Sequence, residues 1–276
     1  MSRILMIDPE PYLWKALETS PVMSGHELVA AAGDVDALRR LRFASFDVVV
    51  TSPDTTVDED LVLLDEIRRI RPGVRSVVLT GRASREDVIA AMSSRVFAVF
   101  TRPFDFGEIT AMVSGAAASA PGHDGILILS AVPDWVAVRL DCSLLTAERL
   151  LRYVAELRTE VPDADREALL VAYREVLLAA IEHGGGREAG KLVDVAAIRT
   201  QRAIVFYVKD PGHGFSSLQL PPGFDGRSIA EPAFVRHVEG DHGYAEAYRL
   251  LVARTIVDEM LYNETANEVV LIKHTG

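Results

Sequence analysis

A chain of 276 residues with 49% hydrophobic residues and a formal net charge of -11 is long enough for two domains of ordinary size, each with its own core. The acidic balance is shared, with 13 basic against 17 acidic residues through position 114 and 16 against 23 after it, so neither half carries the basic footprint of a nucleic-acid binder. No apolar run approaches the ~20 residues that cross a bilayer, and the single cysteine, Cys142, can form neither an internal disulfide nor a cysteine-based metal cluster, in keeping with a reducing compartment.

The opening MSRILMIDPE meets an acidic residue after a few apolar positions. That is too short for a secretory core and reads as a first strand, so the chain is expected in the cytoplasm. RILMI (3–7), HELVAAA (26–32), FDVVV (46–50), RSVVLT (75–80) and VFAVFT (96–101) are short apolar runs of the kind buried on both faces of a parallel sheet. The helical patterns PEPYLWKALE, DVDALRRLRF, DEDLVLLDEIRRIRP, SREDVIAAMSS and FGEITAMVSGAAA separate or follow them, several opened by an Asp or Ser cap. Strict alternation predicts a doubly wound five-stranded parallel sheet, flavodoxin-like, with its functional crevice at the carboxyl ends of the strands. Arg39, Arg40, Arg68 and Arg69 fall at helical spacing and read as solvated helix faces.

Over residues 2–117, ILMIDPE, FDVVVTS, the helix ending EIRRIRP, VVLTGRAS and FTRPFDFGEI resemble, in order and spacing, the receiver domain of bacterial response regulators. The resemblance implies an acidic pair after the first strand, a phosphate-accepting Asp after the third, a Thr or Ser after the fourth and a Lys before Pro after the fifth. This sequence carries Asp8 with Pro9, Ser52, Thr80, and Arg102 before Pro103 at those places. Phosphoryl transfer to a carboxylate needs the Asp nucleophile, carboxylates that hold Mg²⁺ and a cation for the phosphoryl group. Ser52 has no base to activate it, Pro9 removes a metal carboxylate, and Arg102 keeps a charge of different reach. A receiver unable to be phosphorylated is the expectation, with Asp54 as a turn carboxylate.

SGAAASAPGHDG (114–125) has the composition of a flexible connector, which divides the chain into a receiver-like domain at 1–117, a linker at 118–125 and a second domain at 126–276. In that second domain ILILS, DWVAVRLDC, KLVDVAAIRT, RAIVFYVKD and EVVLIKH read as strands. LTAERLLRYVAELRTEV, ADREALLVAYREVLLAAIEHG and EAYRLLVARTIVDEMLY read as helices. An α/β sandwich follows, with helices on one face of a mixed sheet.

EVLLAAIEHGGG, KDPGHGF and RTIVDEMLYNETANEVVLIKH resemble the ATP-binding domain shared by histidine kinases and anti-sigma-factor serine kinases, the latter branch especially, over about residues 134–274. The resemblance implies a helix that presents a Glu, as general base or to orient the nucleophile, and four residues later an Asn that binds Mg²⁺, both on one face. Glu175 matches the first and Ala179 replaces the second. It implies a carboxylate that holds the adenine amine, with glycines that let the backbone approach the base; Asp210, Gly212 and Gly214 match. At the start of the last helix it implies a glycine-rich phosphate segment, where this chain has Ala247, Tyr248 and Arg249, with GDHGY (240–244) as a shifted replacement.

The remaining polar residues have structural readings. His183, Gly184 and Gly185 read as a helix C-terminus, and His213, between glycines, as solvent-facing. His237, His242, Asp241 and Glu239 read as part of a lid spanning 216–243 rather than a metal site, with Phe224 and Phe234 as its apolar anchors. The function expected is a non-catalytic adaptor in bacterial signal transduction that binds proteins, among them anti-sigma antagonists or sigma factors, without nucleic acid or membrane; the alternative is an ATP-dependent serine kinase with a rearranged site. No catalytic residue, metal or cofactor is assigned, residual ATP or ADP binding with weak or absent Mg²⁺ stays open, and homodimerisation is expected from the pairing habits of both families.

Overall fold

The computed structural model describes residues 1–8, 12–120, 122, 124–157, 163–188, 190–213 and 242–275. Its main division falls between Asp124 and Gly125.

In the first unit β1 (Ser2–Ile7), β2 (His26–Ala31), β3 (Val48–Val50), β4 (Arg75–Thr80) and β5 (Ala98–Thr101) form one sheet in the order β2-β1-β3-β4-β5. Every pair is parallel, as the five apolar runs predict. Ile4 to Ile7, Val48 to Val50, Val77 to Leu79 and Ala98 to Phe100 are all buried, which requires cover on both faces of the central strands. The helices are α1 (Tyr12–Glu18), α2 (Asp34–Phe43), α3 (Val57–Ile70), α4 (Arg85–Ser93) and α5 (Phe106–Ala118), with a 3₁₀ turn at Pro21–Met23. Thr56 with Glu59 and Ser84 with Asp87 close reciprocal capping boxes, and the Asp105 side chain accepts from the Glu108 N–H. Each cap satisfies amides that the first turn leaves without partners.

The second unit holds β6 (Ile126–Val132), β7 (Trp135–Asp141), α6 (Leu144–Glu156), α7 (Asp163–Ala179), β8 (Leu192–Arg199), β9 (Ala203–Lys209), α8 (His242–Ile256), β10 (Glu259–Tyr262) and β11 (Glu268–His274). The six strands run β10-β11-β9-β8-β7-β6. Every pair is antiparallel, so the mixed sheet expected from the sequence is corrected: the connections among these strands are hairpins or returns that reverse direction. EMLY is a second correction. Its apolar spacing continues that of α8, but the chain leaves the helix at Ile256 and pairs Met260 with Leu271.

One face of this sheet is apolar and buried. Val138, Val195, Val208 and Val269 stand side by side across β7, β8, β9 and β11, and Tyr173 of α7 stacks on Phe206 with ring centroids 4.3 Å apart. The opposite face carries a lateral row of charge: Arg139 pairs with Asp194, Asp194 lies opposite Lys209, and Lys209 pairs with Glu268. Among the described residues no helix is long and apolar enough to cross a membrane.

Candidate functional site

In the first domain the four residues singled out by sequence stand at or just beyond the carboxyl ends of β1, β3, β4 and β5. Asp8 and Ser52 are buried, and Thr80 is buried with its hydroxyl donating to the Thr55 carbonyl at 2.9 Å. The Ser52 Oγ accepts from the Asp54 N–H at 3.3 Å, and the Asp54 carboxylate pairs with Arg102 at 2.9 Å. Asp54 is therefore a turn carboxylate with a cation partner, and Arg102 spends its charge on that pair in solvent. Pro9 lies outside the described residues.

Beneath this edge lies a residue that composition and periodicity do not reveal. Asp60, on α3, is 1% exposed and accepts from the Thr51 and Thr55 hydroxyls, each at 2.8 Å. Burial pushes its carboxyl up to about 7 against the pull of those two hydroxyls, and the neighbouring charges Asp34 and Glu59 add to the rise. The sole trace in the sequence is an acid among positions whose helical spacing points inward.

The second domain assembles its site from α7, the turn after it, the residues after β9, and α8. Glu175 and Ala179 lie on α7, one turn apart, and Ala179 is buried. Past Ala179 the helix widens into a π turn, Ala180–Gly184, closed by Gly185 N–H donating to the Ala180 carbonyl at 2.8 Å. The helix end expected at 183–185 is present in this wider form, and the left-handed glycine is the next one, Gly186, at φ 62°. The widened turn aims Glu182 at the same neighbour as Glu175. That neighbour is Arg249 of α8, whose guanidinium donates to Glu175 at 2.8 Å and to Glu182 at 3.1 Å. Glu182 also pairs with Arg187. Two carboxylates face two guanidiniums here, so this group is neutral.

Arg249 was singled out by sequence as a residue standing where a glycine is expected. Its reach to Glu175, 74 positions earlier, has no local signature. Ala247 and Tyr248 belong to α8 by backbone, and their side chains are outside the described set; His242 to Tyr244 likewise form the start of that helix, and residues 216–241, with His237, Phe224 and Phe234, lie outside the described residues.

Asp210 follows β9 and accepts the Gly212 N–H at 2.7 Å, while its own N–H donates to the Asn267 carbonyl at 3.0 Å. Burial raises its carboxyl above the usual range, and the Gly212 N–H opposes the rise. Gly184 touches this carboxylate: a Cβ at that position would meet Asp210 Oδ1 and come within 2.5 Å of its Cβ and Cγ. Glycine is thus required by close approach. Gly185 does the same against Cys142, whose thiol burial pushes up to about 11, an inert structural cysteine. His213 is exposed, and Gly214 lies outside the described residues.

The geometry matches what comparison with known proteins finds. A family model described as histidine kinase-like ATPase domain matches residues 140–273. The second domain is thus similar, over residues 140–273, to histidine kinase-like ATPase domains. The transcriptional regulatory proteins GlrR of Escherichia coli K12 and QseF of Escherichia coli O157:H7 are each 30% identical to this chain over 126 residues, 45% of its length. The matched segment is 28% of those relatives. Solved structures similar to this chain include a response regulator receiver domain protein (CheY-like) from Methanospirillum hungatei, 21% identical, covering 40% of this chain and 89% of that one at a TM-score of 0.36. The non-phosphorylated HemR receiver domain from Leptospira biflexa is 18% identical, with 45% and 99% covered and a TM-score of 0.39. The strand order β2-β1-β3-β4-β5 is that of the receiver fold. The chain therefore joins a domain of receiver fold to a domain similar to histidine kinase-like ATPases.

A nucleotide with its magnesium is the ligand such a domain implies. The Asp210 region fits the base of such a ligand: a partly buried carboxylate with an amide partner and a glycine wall. The phosphate and metal end does not. Ala179 offers no ligand atom, and both nearby carboxylates are bound to arginines.

Proposed function

We propose that this protein is a signalling regulator that works by binding other proteins, with a receiver domain that takes no phosphoryl group and a kinase-like domain that transfers none. The observation that carries the reading is Arg249 seated between Glu175 and Glu182. A divalent cation is held by oxygen ligands, carboxylates among them, and here Ala179 offers none and the nearby carboxylates are engaged by guanidiniums. A triphosphate without a metal would add several negative charges to a neutral group, and its metal would have to displace two guanidiniums.

In the first domain Ser52 stands where the phosphate-accepting Asp is expected and Arg102 is held by Asp54, which supports the same conclusion for phosphoryl transfer. The partners that suit an acidic surface of net charge -11 are basic or neutral proteins, and an anti-sigma antagonist or a sigma factor is the class suggested by the kinase-like half. Neither nucleic acid nor membrane belongs in the proposal; a homodimer does.

Calorimetric titration with ATP tests the reading. The expected result is no magnesium-enhanced affinity, and micromolar binding that strengthens with Mg²⁺ would replace the adaptor by the alternative, a serine kinase. Incubation with acetyl phosphate should leave the mass of the chain unchanged.

A further inference from the structure

We propose that Asp60 is a proton-operated switch for the segment joining β3 to α3, so that the first domain responds to proton concentration at the crevice where its fold offers no phosphoryl chemistry. The case rests on a hydrogen-bond network in which each threonine hydroxyl has two acceptors within reach. With Asp60 ionised, Thr51 Oγ1 and Thr55 Oγ1 both donate to it at 2.8 Å. Each hydroxyl also has a second acceptor within reach: the Ser52 carbonyl lies 2.7 Å from Thr55 Oγ1, and the Leu79 carbonyl 3.4 Å from Thr51 Oγ1.

A proton taken from solvent onto an oxygen of Asp60 turns that oxygen from acceptor into donor. The new O–H donates to Thr55 Oγ1, and the Thr55 hydroxyl proton swings to the Ser52 carbonyl. One proton enters and no heavy-atom bond forms or breaks. The consequence travels along the backbone, since the Thr55 carbonyl accepts from Thr80 Oγ1 at 2.9 Å, and Thr80 has its own second acceptor, the Arg82 carbonyl, at 3.2 Å. Asp60 thus controls two connections at the carboxyl edge of the sheet, the one after β3 and the one after β4.

The charges acting on Asp60 among the described residues are Asp34, at the start of α2, and Glu59, its neighbour on α3. Both are acidic, and no cation counters them there. Burial at 1% exposure disfavours the ionised form further, which brings the titration to about 7, within the range a cell traverses.

Carbon-13 NMR of aspartate carboxyls, with amide shifts of the full chain followed from pH 5 to 8.5, tests this. One carboxyl should titrate with a midpoint near 7 and vanish from the spectrum of Asp60→Asn. The amides of Thr51, Ser52, Thr55, Thr80 and Arg82 should move with that same midpoint in the wild type and stay still in the variant. Thr55→Val keeps the acid but cuts the relay: the midpoint should rise, and Thr80 and Arg82 should cease to follow. An Asp60 midpoint in the ordinary carboxylate range near 4, or a midpoint near 7 with stationary amides at 51–55, overturns the proposal. Should Asp60→Asn not fold, the Thr55→Val relay decides, and continued movement of Thr80 in that variant would overturn it equally.

Discussion

The two domains hold the carboxylates of their candidate sites by different physical means. At the carboxyl edge of the parallel sheet, the group beneath the surface is a buried acid held by two neutral hydroxyls, with Ser52 above it. In the second domain, Glu175 and Glu182 are matched one for one by Arg249 and Arg187. Hydroxyls hold a carboxylate loosely enough that its proton count can change near neutrality. Guanidiniums do not, because Arg stays charged at any pH a protein survives. The first arrangement is adjustable and the second is fixed, so the receiver half is the place to look for response and the ATPase half the place to look for a constant binding surface.

The largest test of that contrast is the pH dependence of stability. The folded Asp60 carboxyl sits near 7, above its unfolded value of about 3.9, so the native state binds the proton more tightly between those limits. Its contribution is full below about pH 4 and is lost as pH rises toward 7, with a slope approaching ~1.4 kcal/mol per pH unit. Urea unfolding of the first domain at several pH values should show this decline, and Asp60→Asn should flatten it. In the second domain, Arg249→Ala removes the partner of Glu175 and leaves Glu182 to Arg187 alone, the two acids being 20% and 15% exposed. It should cost about 2–4 kcal/mol in the unfolding of that domain. The double variant Ala179→Asn, Arg249→Gly restores an amide ligand and frees the carboxylates; calorimetry should then register magnesium-dependent ATP affinity at least tenfold above wild type, about 1.4 kcal/mol. Gly184→Ala should destabilise by about 1–3 kcal/mol through overpacking against Asp210, read as a lowered Tm. Arg102→Ala, which removes an exposed pair with Asp54, should change stability by less than about 0.5 kcal/mol.

Much of the fold was legible because it is written locally. Val48 to Val50 and Val77 to Leu79 are continuous apolar runs, as strands buried on two faces must be, and Ser84 at the head of its helical pattern caps α4. EMLY was misread because Met260 and Leu261 extend the spacing of α8, and only the partner strand β11 supplies the competing hydrogen bonds. At the site, Glu175, Ala179, Asp210 and Gly212 could be found by pattern. The pairing of Arg249 with Glu175 and Glu182 could not, because it joins two helices and depends on a π turn that no residue in AIEHG demands by itself. Asp60 escaped for the converse reason: one acid in a helix face that is otherwise apolar looks like noise until its two threonines close over it.

The charged row on the open face of the antiparallel sheet has a consequence for how that sheet finds its alignment. Apolar alternation forbids a slide of one residue, since it would turn the core outward, but a slide of two leaves every face intact. Such a slide would set Arg139 opposite Ala196 or Leu192 instead of Asp194, and would part Lys209 from Asp194 in the same way. The sequence of plus, minus, plus, minus across four strands therefore works as a vernier, admitting one offset from a set that hydrophobicity alone treats as equal.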